Sequence, residues 1–300
     1  MTLRRPIFSV LTLAAVFAAV PLFAQRFGEW SDPTSLTSVN TPFFEAAPAL
    51  SKDERSLYFH SLRPGLGIND IYVSQRATNA DWAPAVRIGR PISTKYNEVA
   101  PALSRDGHFL FFSTNRRDGT DLDIWVSHRT RVHDDFGWSE PVPVNEINQE
   151  GANDAGAAYF ENDGGRPQLF FQSNRGDVGA TDFYVSEQQD DGTWGAPALV
   201  RELSSPAAEN RLTIRHDGRE VFFGSNRQGS SGQDIWTSTR LSISDPWSTP
   251  VNVGPPINTA SDDMQPGLSG DGRTLYFTRS AATDPGDILS STRQPRGRDD

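Results

Sequence analysis

Three aspartates, Asp118, Asp121 and Asp123, crowd around Gly119 in the stretch NRRDGTDLDIWVS, residues 115–127. Closely spaced carboxylates beside a glycine are the raw material of a calcium loop, where several oxygens at fixed offsets surround one ion. The stretch recurs, however, and the recurrence argues against that chemistry. It returns as SLRPGLGINDIYVS from Ser61, SNRGDVGATDFYVS from Ser173, SNRQGSSGQDIWTS from Ser225 and, more loosely, TRSAATDPGDILSS from Thr278. Asp118 and Asp121 have no fixed counterpart. Only the last acid persists, as Asp70, Asp123, Asp182, Asp234 and Asp287. An arginine stands seven residues ahead of it in four copies, Arg63, Arg116, Arg175 and Arg227, and eight ahead in the fifth, Arg279. A ligand set would repeat with its loop, and this one does not, so the stretch reads as a repeat element. No metal site and no cofactor is expected.

A second set of acids opens a run ahead of each copy. The runs are EAAPALSKDERSLYF from Glu45, EVAPALSRDGHFLFF from Glu98, DAGAAYFENDGGRPQLFF from Asp154, ENRLTIRHDGREVFF from Glu209 and DMQPGLSGDGRTLYF from Asp263. Behind the copies come a tryptophan and a proline, at Trp82, Trp138, Trp194 and Trp247. The leading acids lie 53, 56, 55 and 54 residues apart. A fixed period of this size signals a solenoid, propeller or array.

Each unit spells four strands. The first is the small-residue run, as in Ala100 to Ser104. A turn follows at Asp106-Gly107, Asp163-Gly164, Asp217-Gly218 or Asp271-Gly272, where glycine tolerates positive φ. Unit one has Asp53-Glu54 there, so its turn is expected to differ. The second strand is continuously apolar, as in Phe109 to Phe112, and needs cover on both faces. The third begins at the recurring aspartate and the fourth follows the tryptophan. The fifth unit lacks its Trp-Pro strand, while WSDPTSLTSVN, residues 30–40, offers one out of order at the other end of the chain. The pattern therefore predicts an all-β fold: a five-bladed β-propeller of four-stranded antiparallel blades, starting near 45, 98, 154, 209 and 263. Residues 30–40 close the last blade and leave no free sheet edge.

The chain opens MTLRRPIFSVLTLAAVFAAVPLFAQ, in which two arginines precede an apolar run and a small residue, the order of a secretory signal peptide. Residues 1–24 are expected to be removed, leaving one domain over 25–300 in the periplasm or secreted, with no membrane insertion afterwards. Cleavage would remove Arg4 and Arg5 and take the formal charge from −10 to −12, which disfavours nucleic acid as a partner. There is no cysteine, so the core alone must hold an exported protein together. A monomer is expected.

The pattern P-x-L-S-x-DG-x-x-L-x-F-x-S-N-R-x-G…D-I-W-x-S, with the linkers VNT at Val39, INQ at Ile147 and INT at Ile257, resembles the WD40-like PD40 repeat of TolB-type propellers. The resemblance covers residues 30–293. It implies the propeller fold and, from relatives that are periplasmic partners of outer-membrane lipoproteins, a non-catalytic module that binds an envelope protein or glycan. Neither an appended hydrolase domain nor a cell-wall anchor is expected in this chain.

In a four-strand meander, the loop entering the first strand and the loop joining the second to the third share one face. Glu45, Glu98, Asp154, Glu209 and Asp263 should therefore ring one mouth of the central channel. Unit charges about 8 Å apart repel by roughly 2 kcal/mol at an effective dielectric near 20. The ring either recruits a cation or a hydroxyl-rich ligand, or it is neutralised from within by Arg63, Arg116, Arg175, Arg227 and Arg279, each reaching its blade's leading acid, the third-strand aspartate, or both. Arg117, one residue past the repeat position, is expected to be solvated. Paired carboxylates are also what glycoside hydrolysis uses, so a glycan-active hydrolase working through the axial acids is the alternative to a binding module. No acid is singled out by its neighbours, neither G-x-S-x-G nor H-E-x-x-H is present, and no catalytic residue is assigned. The five histidines do not cluster at metal-ligand spacing. Trp125 and Trp236 are expected to pack between blades.

Overall fold

The computed structural model describes residues 27–77, 80–161, 165–176 and 178–296. The expected signal segment and the Asp163-Gly164 turn lie outside them. Among the described residues there is no helix, and twenty strands form five separate four-stranded antiparallel sheets. Blade one comprises β2 (Glu45–Leu50), β3 (Ser56–Ser61), β4 (Asp70–Gln75) and β5 (Val86–Arg87). Blade two comprises β6 (Glu98–Leu103), β7 (Phe109–Thr114), β8 (Asp123–His128) and β9 (Val142–Pro143). Blade three has β10 (Asp154–Phe160), β11 (Gln168–Ser173), β12 (Asp182–Glu187) and β13 (Ala198–Leu199). Blade four has β14 (Glu209–Ile214), β15 (Glu220–Ser225), β16 (Asp234–Thr239) and β17 (Val251–Asn252). Blade five consists of β18 (Asp262–Leu268), β19 (Thr274–Ala281) and β20 (Asp284–Thr292), completed by β1 (Thr34–Ser35) from the other end of the chain. Thr34 stands opposite Ser290 and Ser35 opposite Leu289, and a further bridge pairs Phe27 with Pro295.

The continuous apolar character of the second strands has a direct cause. Successive residues of a strand point to opposite faces, and in a propeller both faces meet a neighbouring blade. Leu110 and Phe112 of β7 pack with Tyr58 and Ile71 of blade one, while Phe111 packs with Leu169 and Phe171 of blade three. The same division gives five core clusters, one per blade junction. The junction that closes the ring joins Leu57, Phe59 and Trp82 of blade one to Tyr276 and Ile288 of blade five. Each fully buried Phe contributes about 1.5–3 kcal/mol of transfer free energy, and none could be buried on both sides by a lone blade.

The turn of unit one departs from expectation. Glu54 takes φ 56°, as Gly107, Gly218 and Gly272 take 77°, 68° and 77°. Its N–H donates to the Ser51 carbonyl, as Gly107 donates to Ser104. The hydrogen-bond frame of the hairpin thus overrides the steric preference of glutamate against a left-handed backbone.

A second repeated arginine escaped the sequence reading. Arg76, Arg129, Arg240 and Arg293 follow their third strands, and each donates Nε to a turn carbonyl, of Glu54, Gly107, Gly218 and Gly272, at 2.6–2.8 Å. Each guanidinium also covers a Trp-Pro tryptophan, Trp82, Trp138, Trp247 and Trp30, with centroid distances of 4.2–4.5 Å. The signal was present in QR, HR, TR and TR after the third strands, with Gln188 the exception in blade three. Trp30 occupies this place for blade five, so the N-terminal segment supplies the arginine's platform as well as the outer strand.

Removing residues 27–40 should therefore abolish cooperative unfolding, because blade five loses β1, Trp30 and the cover of its edge. A thermal melt of the truncated protein checks this; an unchanged midpoint and unchanged solubility would remove the N-terminal closure.

Candidate functional site

The five leading acids begin the innermost strands, and all five are 0% exposed. Each is held by its blade's repeat arginine: Glu45 by Arg63 at 3.0 Å, Glu98 by Arg116 at 3.2 Å, Asp154 by Arg175 at 2.5 Å, Glu209 by Arg227 at 2.9 Å and Asp263 by Arg279 at 2.6 Å. The same guanidinium donates to a carbonyl of the linker arriving from the preceding blade, that of Val39, Ile92, Ile147, Leu203 or Ile257. The acid in turn accepts the backbone N–H of Thr41, Thr94, Gln149, Ser205 or Thr259 in that linker. Thr41, Thr94, Ser205 and Thr259 add their hydroxyls. The arginines stack on second- and third-strand aromatics, as Arg227 does over Phe223 at 4.9 Å and Trp236 at 5.3 Å. Despite the arginines, burial pushes Glu98, Glu209 and Asp263 up from their ordinary range.

The third-strand aspartates are not reached by these arginines. Asp70 accepts the Leu66 N–H at 2.7 Å and lies 3.5 Å from Arg87. Asp182 accepts the N–H groups of Val178 and Gly179, and Asp234 accepts the side-chain amide of Asn252. Asp287 accepts the Ser35 hydroxyl of the closing strand at 3.1 Å. Asp123 pairs with Arg117 at 3.0 Å, which corrects the expectation that Arg117 is simply solvated. Asp118 folds onto its own turn, accepting the Thr120 N–H and hydroxyl at 2.8 Å each. Trp236 is buried at a blade junction and Trp125 packs against another. Among the described residues no group of three or more His, Asp or Glu could hold a metal ion.

At the opposite end of the same five strands an axial funnel of about 110 Å³ opens. That is room for roughly eight water molecules. Its wall is formed by strand ends and hairpin turns and includes Lys52, Arg105, Tyr159, Glu161 and His216, and its lining reaches in to Arg211. Burial, followed by the charges of Glu161 and Asp106, pushes the Tyr159 hydroxyl up to about 12. Burial and the cations Arg105 and Lys52 pull His216 down, so it is neutral at pH 7.

All five inner strands carry a bulge two residues past the leading acid, where Ala47, Ala100, Arg211 and Gln265 take φ between 41° and 56° and Gly156 takes 65°. Neither the bulge nor the placement of His60 was visible in the sequence. His60, on β3, is 5% exposed; its Nδ1 accepts the Ala100 N–H at 3.3 Å and its ring lies 5.9 Å from Phe44. Burial, with the Arg211 charge second, holds it down at about 3.

No family model and no curated protein matches the chain. Solved structures do. A thermostable family-43 glycoside hydrolase superposes with a TM-score of 0.60 at 15% identity, covering 89% of this chain and 94% of that one. An endo-arabinase from Bacteroides thetaiotaomicron VPI-5482 gives 0.58 at 16%, covering 89% and 99%. A protein described as TolB from Agrobacterium tumefaciens gives 0.52 at 17%, covering 83% and 77%. At such identities the likeness shows the fold, a five-bladed propeller with a TolB structure among its neighbours. It also corrects the expectation of a non-catalytic, TolB-like binding module: most of the similar structures are glycoside hydrolases.

Two outcomes follow from the geometry. Arg227→Ala leaves a buried Glu209 without its cation and should cost about 1–3 kcal/mol, whereas Arg131→Ala, with a side chain 81% exposed, should stay within about 0.5 kcal/mol. Denaturant melts of both compare them, and equal effects would mean that the repeat arginines carry no structural charge pairing. For His60 the depressed native value means that the unfolded chain binds the extra proton. Stability should therefore fall as pH drops from 6.5 towards about 3, with a slope approaching roughly 1.4 kcal/mol per pH unit for this one proton. His60→Gln should remove that component from the difference between the two pH–stability curves.

Proposed function

We propose that the chain is a glycan-active hydrolase. The observation that supports it is the match of the whole five-blade ring, rather than one blade, to glycoside hydrolases, among them an α-L-arabinofuranosidase, an endo-arabinase and an arabinanase. The ring acids are poor candidates for the acid and base, since each is buried against an arginine and accepts its hydrogen bonds from the blade junction. The funnel offers a concave site with Glu161 the carboxylate among its lining residues; Glu161 and, outside that lining, the turn residue Asp106 both act electrostatically on the Tyr159 hydroxyl. Glycoside cleavage uses two carboxylates flanking the bond, and we assign one of those roles to Glu161. Asp106 belongs to the repeated hairpin turn, where it accepts the Ser104 hydroxyl and the His108 N–H. The repeat pattern supports a PD40-type origin, and residues 1–24 support export, so the glycan would be met outside the cytoplasm.

Purified protein incubated with linear arabinan and with 4-nitrophenyl α-L-arabinofuranoside should release reducing sugar or nitrophenolate. Glu161→Gln should lower the rate by roughly 10²-fold or more, the size of a lost acid–base step, with an unchanged melting temperature. Absence of turnover on these and on a wider panel of neutral and acidic plant and algal glycans would overturn the hydrolase reading. Turnover that survives Glu161→Gln but not Glu209→Gln would return the chemistry to the acid ring.

A further inference from the structure

We propose that the inner end of the axial funnel is a binding site for a small oxyanion, a carboxylate or a phosphate, built around Arg211. The inner-strand bulge sits two residues past each leading acid, and the five units place Ala47, Ala100, Gly156, Arg211 and Gln265 there. Four blades supply small or neutral side chains at this level and one supplies a guanidinium. Arg211 is 5% exposed and reaches from blade four to blade two, where Nη2 donates to the Pro101 carbonyl at 2.6 Å. Its Nε and Nη1 have no hydrogen-bond partner although both are buried. Among the described residues Arg211 forms no salt bridge, in contrast to the five repeat arginines. Burial pulls it down to about 10, which leaves it charged at neutral pH.

A buried cation without a counter-charge costs several kcal/mol, and unpartnered donors add to that cost. The side chain nevertheless borders the funnel, with Lys52, Arg105 and His216 further along its wall and Glu161 the carboxylate among its lining residues. Gly156, beside the Arg211 backbone, has no side chain to fill the level, and a Cβ there would lie 2.9 Å from Gln172 Oε1. An oxyanion entering the funnel would meet the free Nε–H and Nη1–H groups in a low-dielectric setting, where charge-assisted hydrogen bonds are strong. The ligand is accordingly an inorganic oxyanion or the acid group of a sugar acid. The assignment is independent of hydrolysis and is read by binding alone.

Titration calorimetry of the purified protein with inorganic phosphate, with D-galacturonate and with neutral D-galactose tests it. At least one anion should bind and galactose should not; which anion binds identifies the source of the oxyanion. Arg211→Gln should weaken that binding by about tenfold or more, and Arg131→Gln should leave it unchanged. Binding of neither anion, or equal binding by wild type and Arg211→Gln, would overturn the site. Should Arg211→Gln not fold, a wild-type crystal soaked in phosphate decides: an anion within hydrogen-bond distance of Arg211 Nε or Nη1 supports the site, and a channel holding only water overturns it.

Discussion

The structure depends on one carboxylate–guanidinium contact made five times. The acid opening each inner strand accepts a linker N–H and the repeat arginine, and that arginine also donates to a linker carbonyl. Three pieces of chain are thereby tied together: the linker leaving one blade, the first strand of the next, and the end of its second strand. A buried carboxylate would be costly alone, as would a buried guanidinium. Neither can be released without orphaning the other, so the junction has a single low-energy arrangement. Repeated at each blade, that arrangement fixes the start of every inner strand relative to its predecessor, and the Phe-rich second strands pack on the frame it sets.

This has a consequence for chemistry. An acid ring at the mouth of a propeller channel looks like a ligand site when only residue types are considered. Here its oxygens are occupied by the blade junctions, and no ring carboxylate is exposed. The other end of the same strands is less uniform. Its side chains differ from blade to blade, Lys52, Arg105, Glu161 and His216 among them, and a channel with five different walls can orient an asymmetric ligand, which five equal ones cannot. Arg211 is the extreme case of that asymmetry. Its charge reaches His60 across the channel and helps to keep that imidazole neutral.

Glycoside hydrolases and a protein described as TolB are both among the structures similar in fold to this ring. A fold does not by itself decide function, because repeated residues build the scaffold while unrepeated ones make the site. The repeat therefore identifies the ring, and function has to be sought in the positions where the five units disagree.

What the sequence by itself determined was the periodic part. The 53–56 residue spacing of Glu45, Glu98, Asp154, Glu209 and Asp263, the displaced Trp30 segment and the continuously apolar second strands specify five blades and their closure, because each repeats a local rule. The shared face of the acids and arginines was legible too, since strand direction alone puts Glu45 and Arg63 at the same end. Only the tertiary structure decided which partner each arginine takes, because leading acid and third-strand aspartate are both within reach along the chain and the linker carbonyl that selects between them comes from another blade. It also decided that Glu54 would accept a glycine conformation, that Arg117 would find Asp123, and that Arg211 would cross the axis to Pro101, 110 residues away. Such contacts depend on distances across the ring, and a distance across a ring is set by the closure of all five blades, which no single stretch of sequence contains.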